Sequence, residues 1–296
     1  MKIQDLINDY LERTKIYKKN GTYLYYRKVS RAIIKALNYL NINDTSELKK
    51  NTQTDIIMYY KKMTKKKNSQ INADVGFLYQ VLKYYDVKHE LTRHEKLPDD
   101  TTSFRALNDT VLNRLLSFLR TLDINVSNNL SWVLSIYLML DTGVRMNELL
   151  NIKTKNVDML SNSIILETTK NNKKRVVFFD VLSKELLKIA IANDKEYIIW
   201  NHNKNERMNR VAIFYFMDIV AKNVESDTKI HAHRLRKTFA TRLLKNGCPL
   251  TTIQKLLGHS DIKMTMKYLE IDQAMIEKDY FNYYPYQDVT KEKKQP

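Results

Sequence analysis

Apolar side chains recur at helical spacing from the first residues of the chain. Ile3, Leu6, Ile7, Tyr10 and Leu11 share one helical face, and Val29, Ile33, Leu37 and Leu40 share another. A third helix is expected over about residues 54–63. A fourth is expected to start at Ser69, a good capping residue, with Ile71, Val75, Leu78, Leu82 and Tyr85 as its stripe. Four such helices can bury one shared core, so residues 1–87 read as a small helical domain. Residues 88–104, KHELTRHEKLPDDTTSF, lose the periodicity and carry Pro98 after a charged stretch, which reads as a linker.

Beyond the linker the pattern is mixed. A helix is expected near Asn108, with Val111, Leu112, Leu115, Leu116 and Leu119 facing inward. The nearly all-apolar stretch 130–140 reads as a buried helix. Two β-prone runs, 163–167 and 175–179, flank KNNKK and predict a hairpin. Helices are expected near 183–192, 206–221, 233–246, 249–257 and 261–267. No internal repeat is visible, and residues 287–296 read as a disordered tail. The fold class is therefore mainly α with a small β-sheet: a helical N-terminal domain, then a mixed α+β domain over 105–286.

Composition narrows the function. No run of about 18 apolar residues exists to cross a membrane. The N-terminus, MKIQDLINDYLERTK, carries acids early and lacks a small-residue cleavage site, unlike a signal peptide. Cys248 is the single cysteine, so no internal disulfide can form, which fits a reducing cytoplasm. The formal net charge of +17 points to a polyanionic partner, of which nucleic acid is the commonest. A Lys-rich genome bias is the competing account, although it does not by itself unbalance the acids. The run KKMTKKKN at 61–68 reads equally as a solvated loop or a phosphate contact.

The candidate chemistry lies in four segments: DTGVRMNELL (141–150), ILETTKNNKKRVVF (165–178), HAHRLRKTFATRLLKNG (231–247) and LLGHSDIKMTMKYLEI (256–271). Gly143, Gly247 and Gly258, three of only 5 glycines, fall in them and mark tight turns. Phosphodiester transfer without a metal needs a nucleophile, guanidinium groups for the phosphate oxygens, and a proton donor for the leaving oxygen. The segments offer Tyr268, Arg145, Arg236, His233, His259 and Lys170. Each has a bland alternative. A lone arginine or lysine is usually a surface charge. Tyr268 is one of 19 tyrosines, with Tyr280, Tyr283, Tyr284 and Tyr286 crowding the same end. His231, His233, His259 and Cys248 could imitate a metal site, but their spacing fits no common zinc pattern. Phe239, Leu243, Leu244, Leu256 and Leu257 read as core.

Taken in order, the four segments resemble the signature boxes of the tyrosine recombinase (phage integrase) family. Arg145 is similar to the first family arginine, after a Thr-Gly turn and before the acid Glu148. The run from His233 to Arg236 resembles the His-x-x-Arg box, and that from Leu257 to Ser260 the Leu-Gly-His box. Tyr268 lies 9 residues past His259, the family's nucleophile spacing. Lys170 matches the β-hairpin lysine, with Lys173 and Lys174 close by. Two departures, Lys237 in place of a common histidine and Asn171-Asn172 at the hairpin turn, remove no catalytic group.

The resemblance implies a site-specific recombinase or integrase that cleaves and rejoins DNA through a 3′-phosphotyrosyl bond on Tyr268, without cofactor or metal. Arg145 and Arg236 would hold the phosphate, His233 and His259 would assist proton transfer, Lys170 would protonate the leaving 5′ oxygen, and Glu148 would orient an arginine. Residues 1–87 would be the core-binding domain and 105–286 the catalytic domain. The partners would be double-stranded DNA and further copies of the chain in a tetramer, with the apolar stripe Met275, Ile276, Tyr280 and Phe281 docking in a neighbour or on its own domain. Two rivals stay open: a type IB topoisomerase, and a catalytically silent DNA-binding regulator on the same scaffold.

Overall fold

The computed structural model describes residues 1–91, 95–98, 105–167, 174–226, 229–259, 261–266 and 269. The chain divides into two compact units, Met1–Thr102 and Ser103–Pro296.

The first unit holds helices α1 (Ile3–Tyr17), α2 (Asn20–Tyr39), α3 (Thr52–Met63) and α4 (Asn68–Tyr84). Their stripes meet in one core, where Ile7, Ile33, Ile56, Ile71, Val81 and Leu82 are wholly buried. Helix α4 is capped two residues earlier than expected. Lys67 is its N-cap and Ser69 lies in the first turn, because Gln70 Oε1 accepts the Lys67 amide at 3.2 Å and closes the helix start there. The lysine run 61–68 is not uniformly solvated. Lys66 pairs with Asp74, which is 3% exposed, and its ammonium sits 4.5 Å above the Tyr60 ring.

The second unit opens with α5 (Asp109–Arg120), capped by Asn108, whose Oδ1 accepts the Val111 amide at 2.8 Å. Helix α6 (Asn129–Thr142) is apolar almost all round and runs through the core. It packs against α8 (Lys184–Ala192), α9 (Arg210–Asn223) and α10 (Ala232–Lys245). Between α6 and α8 come the short α7 (Met146–Leu149) and an antiparallel sheet of β1 (Val157–Asp158), β2 (Ser163–Leu166) and β3 (Arg175–Phe178). The register pairs Ile164 with Val177 and Leu166 with Arg175. Ile164 and Val177 point into the core, while Ile165, Val176 and Phe178 face outward. A small hairpin, β4 (Trp200–Asn201) with β5 (Glu206–Arg207), precedes α9, and α11 (Leu250–Leu257) and α12 (Ile262–Met266) follow α10.

The helix expected over 206–221 starts only at Arg210. Asn205, with φ 51°, turns the chain so that Glu206 and Arg207 pair with β4, and Asn209 caps α9 by accepting the Ala212 amide at 3.0 Å. The other expected helices and the β2–β3 hairpin are present. The hairpin turn through Asn171-Asn172, much of the linker, the segment 272–286 and the tail lie outside the described residues.

Candidate active site

Four helix ends build the site. Helix α6 stops at Gly143 in the left-handed conformation, φ 64°, and a Cβ there would meet the Phe239 ring at 2.3 Å, so only glycine allows the turn. Two residues on, Arg145 is the N-cap of α7, its amide donating to Glu148 Oε2 at 2.8 Å. Helix α10, capped by His231, carries His233 in its first turn and Arg236 one turn later. Helix α11 ends at Gly258, φ 63°, and the next residue is His259.

The C-terminus of α11 draws these pieces together. A helix end leaves carbonyls without partners and carries partial negative charge. Here three consecutive carbonyls each accept from a different arginine. Leu256 O takes Arg175 Nε at 3.0 Å, Leu257 O takes Arg236 Nη2, and Gly258 O takes Arg145 Nη2 at 3.3 Å. Arg236 also donates to Gly143 O, the carbonyl at the end of α6, and its side chain is wholly buried. Arg145 is 36% exposed, and so is the outward cation of the set.

Glu148 supplies the compensating charge. Its carboxylate receives Arg145 Nη1 at 2.9 Å and the fork of Arg175 at 2.6 and 2.8 Å. Burial pushes this carboxyl up, but Arg175 and Arg145 outweigh it and hold it at about 2.

The histidines are tuned the other way. His259 is pushed down to about 4, first by burial and then by the charges of Arg236, Arg145 and Arg175, with Glu148 opposing. His259 Nε2 lies 3.0 Å from Arg236 Nη2. A guanidinium can only donate, so Nε2 accepts, the proton resides on Nδ1, and Nδ1 donates to Thr265 Oγ1 at 3.0 Å. His233 is likewise lowered by burial and by Arg236, Arg145 and Arg210.

Of the six residues singled out from sequence, Arg145, His233, Arg236 and His259 come together here. Lys170 and Tyr268 lie outside the described residues. Arg234, the other arginine of the His-x-x-Arg run, is buried elsewhere, donating to Arg105 O at 3.1 Å and Ser226 Oγ at 3.1 Å. Glu148 bonds two arginines rather than one. Arg175 was not anticipated, although a signal existed: strand alternation puts it on the face of Val177 and Phe179, and an inward arginine needs a buried acid. No cluster of potential metal ligands occurs among the described residues, nor is any helix there long and apolar enough to cross a membrane.

Comparison with known proteins identifies the family and the fold. The chain is 27% identical to the probable integrase/recombinase of Acholeplasma phage L2 over 285 residues, 96% of this chain and 98% of that protein. It is 31% identical to the tyrosine recombinase XerC of Staphylococcus aureus (strain N315) over 172 residues, 56% of this chain and 57% of that protein. Its fold is similar to a structure of the Tn1549 transposon integrase in complex with a circular intermediate DNA, with a TM-score of 0.79 at 18% identity, covering 95% of this chain and 99% of that one. The sequence profile of the phage integrase family matches residues 105–275, which span every residue of the site, and the chain belongs to that family, the tyrosine recombinases.

Proposed function

We propose that the protein is a site-specific DNA recombinase in which the Tyr268 hydroxyl attacks a scissile phosphate. The P–O5′ bond breaks, a 3′-phosphotyrosyl bond forms, and the 5′ hydroxyl leaves with a proton from Lys170. A 5′ hydroxyl from a second DNA then attacks the phosphotyrosine, and the bond energy retained there drives rejoining without ATP. The observation that carries this reading is the convergence of Arg145, Arg236 and His259 at the end of α11, with His233 three residues before Arg236 on α10 and Tyr268 nine residues past His259 in sequence. Such a set holds its cations in place before charge develops on the phosphate. Arg145 presents an exposed edge to the phosphate oxygens. Arg236 is covered in this structure and must be uncovered for the phosphate to reach it. The neutral histidines accept or pass protons, and their basicity rises as a bound phosphate offsets the arginines.

Double-stranded DNA is the partner, in keeping with the +17 charge. The first unit serves as the core-binding domain. Copies assemble as a tetramer on two sites, with the stripe Met275, Ile276 and Phe281 docked in a neighbour. A nicked suicide substrate tests the chemistry, since a lost 5′ fragment traps the covalent adduct. Tyr268→Phe should form none and Tyr280→Phe should trap normally. An adduct surviving in Tyr268→Phe would overturn the assignment.

A further inference from the structure

We propose that Arg175 is a positioning residue for strand cleavage, fixing Glu148 and the 256–258 turn so that Arg145 faces the phosphate. The proposal rests on the reading of Arg145 as a phosphate-binding group.

The geometry is specific. Arg175 spends its whole fork on Glu148, Nη1 at 2.6 Å and Nη2 at 2.8 Å, and its remaining nitrogen, Nε, on Leu256 O at 3.0 Å. With all three nitrogens engaged, it has no edge aimed outward, which separates it from a group that touches substrate. Its side chain is 9% exposed, against 36% for Arg145. Glu148 carries one negative charge between two guanidiniums. The buried partner needs that charge most, because an uncompensated cation inside the protein is strongly disfavoured. The surplus positive charge therefore falls on Arg145, at the surface where a phosphate arrives.

Arg175 also fixes the turn that delivers His259. Its chain lies directly over Gly258: a Cβ there would come within 2.9 Å of Arg175 Cδ and 3.1 Å of Nε. The carbonyls on either side of this contact, Leu257 O and Gly258 O, are those held by Arg236 and Arg145. One side chain at the start of β3 thus sets the relative position of α7 and the end of α11. A misplacement of about 1 Å in such a clamp is enough to slow catalysis by about a hundredfold.

The test is single-turnover cleavage of the nicked suicide substrate by the full-length protein, read as rate constant, reacting fraction and pH profile. Binding to uncleaved DNA is measured alongside. Arg175→Ala should lower the rate constant by about a hundredfold and alter DNA affinity little, because affinity is spread over many phosphate contacts. Arg175→Lys should recover only part of the rate, since a point charge cannot reproduce the fork. The acid limb of the profile should move to higher pH in Arg175→Ala. Among the described residues, Arg236, Arg145, Arg175 and Glu148 are the charges facing His259, and loss of one cation raises its imidazole and also the Glu148 carboxyl. A purely structural residue would reduce the reacting fraction and leave the rate constant and profile of the remaining protein unchanged; that result overturns the proposal. Should Arg175→Ala fail to fold, Arg175→Gln, read by the same criteria, decides. Arg145→Ala separates the two readings. If it is inactive while Arg175→Ala cleaves normally, only this inference fails; if it cleaves normally, the assignment of the phosphate site itself fails.

Discussion

The two arginines matched to the family boxes play different physical parts. Arg236 is wholly buried and joins two helix ends, donating to Gly143 O and Leu257 O. Arg145 is a third exposed and rests on Glu148 and Gly258 O. Removing Arg236 strands two buried carbonyls, at about 1–3 kcal/mol each. Arg236→Ala should therefore lose stability by about 3 kcal/mol in urea denaturation, whereas Arg145→Ala should stay within about 1 kcal/mol of wild type. Both should cut cleavage by about two to three decades while DNA affinity falls far less. A loss of binding as steep as the loss of cleavage in the folded Arg145 variant would make its role positional. At this scale spacing was enough to pick out the four described residues, Arg145, His233, Arg236 and His259, that the structure brings together. The box intervals separate Arg236 from Arg234 two residues before it, although either alone reads as a surface charge. Arg175 is harder to read, because strand alternation turns it inward but its partner, Glu148, is 27 positions away on another element.

Elements with a full apolar stripe were legible in the same way. The helices of the first unit follow from apolar positions that must hide one face, and the buried α6 from a nearly continuous apolar run that must hide all of its surface. The two-residue strands β1, β4 and β5 did not, because a period of two needs more than two residues to show. The site's elements also predict how stability responds to acid. The His259 imidazole is held at about 4, below its ordinary 6.5, so the unfolded chain takes up this proton first as the pH falls. The stabilisation is complete above about pH 6.5 and is lost as the pH drops toward 4. His231 and His233 are lowered too and act in the same direction. The Glu148 carboxyl, held at about 2 against an ordinary 4.5, adds a second loss at lower pH. Thermal melts should show Tm falling between pH 7 and pH 4.5, and His259→Gln should flatten that slope. An unchanged slope in the variant would show that the imidazole does not titrate in this window.

For the whole molecule, the proposed assembly makes cleavage a property of the complex. If residues beyond Tyr268 dock in a neighbour, the nucleophile is set in place only when copies sit side by side on DNA. Deleting residues 273–296 should leave binding to a single site nearly intact and weaken cooperative binding to paired sites, as gel-shift titration on one-site and two-site DNA would show. Unchanged cooperativity would assign the stripe to the chain's own core. Every described residue of the site, from Gly143 to Thr265, belongs to the second unit, and none to the first. The chemistry is thus inherited as one block. If the first 102 residues serve as the core-binding domain proposed above, a change of DNA target can be made there while every guanidinium of the site keeps its own residues and partners within the second unit.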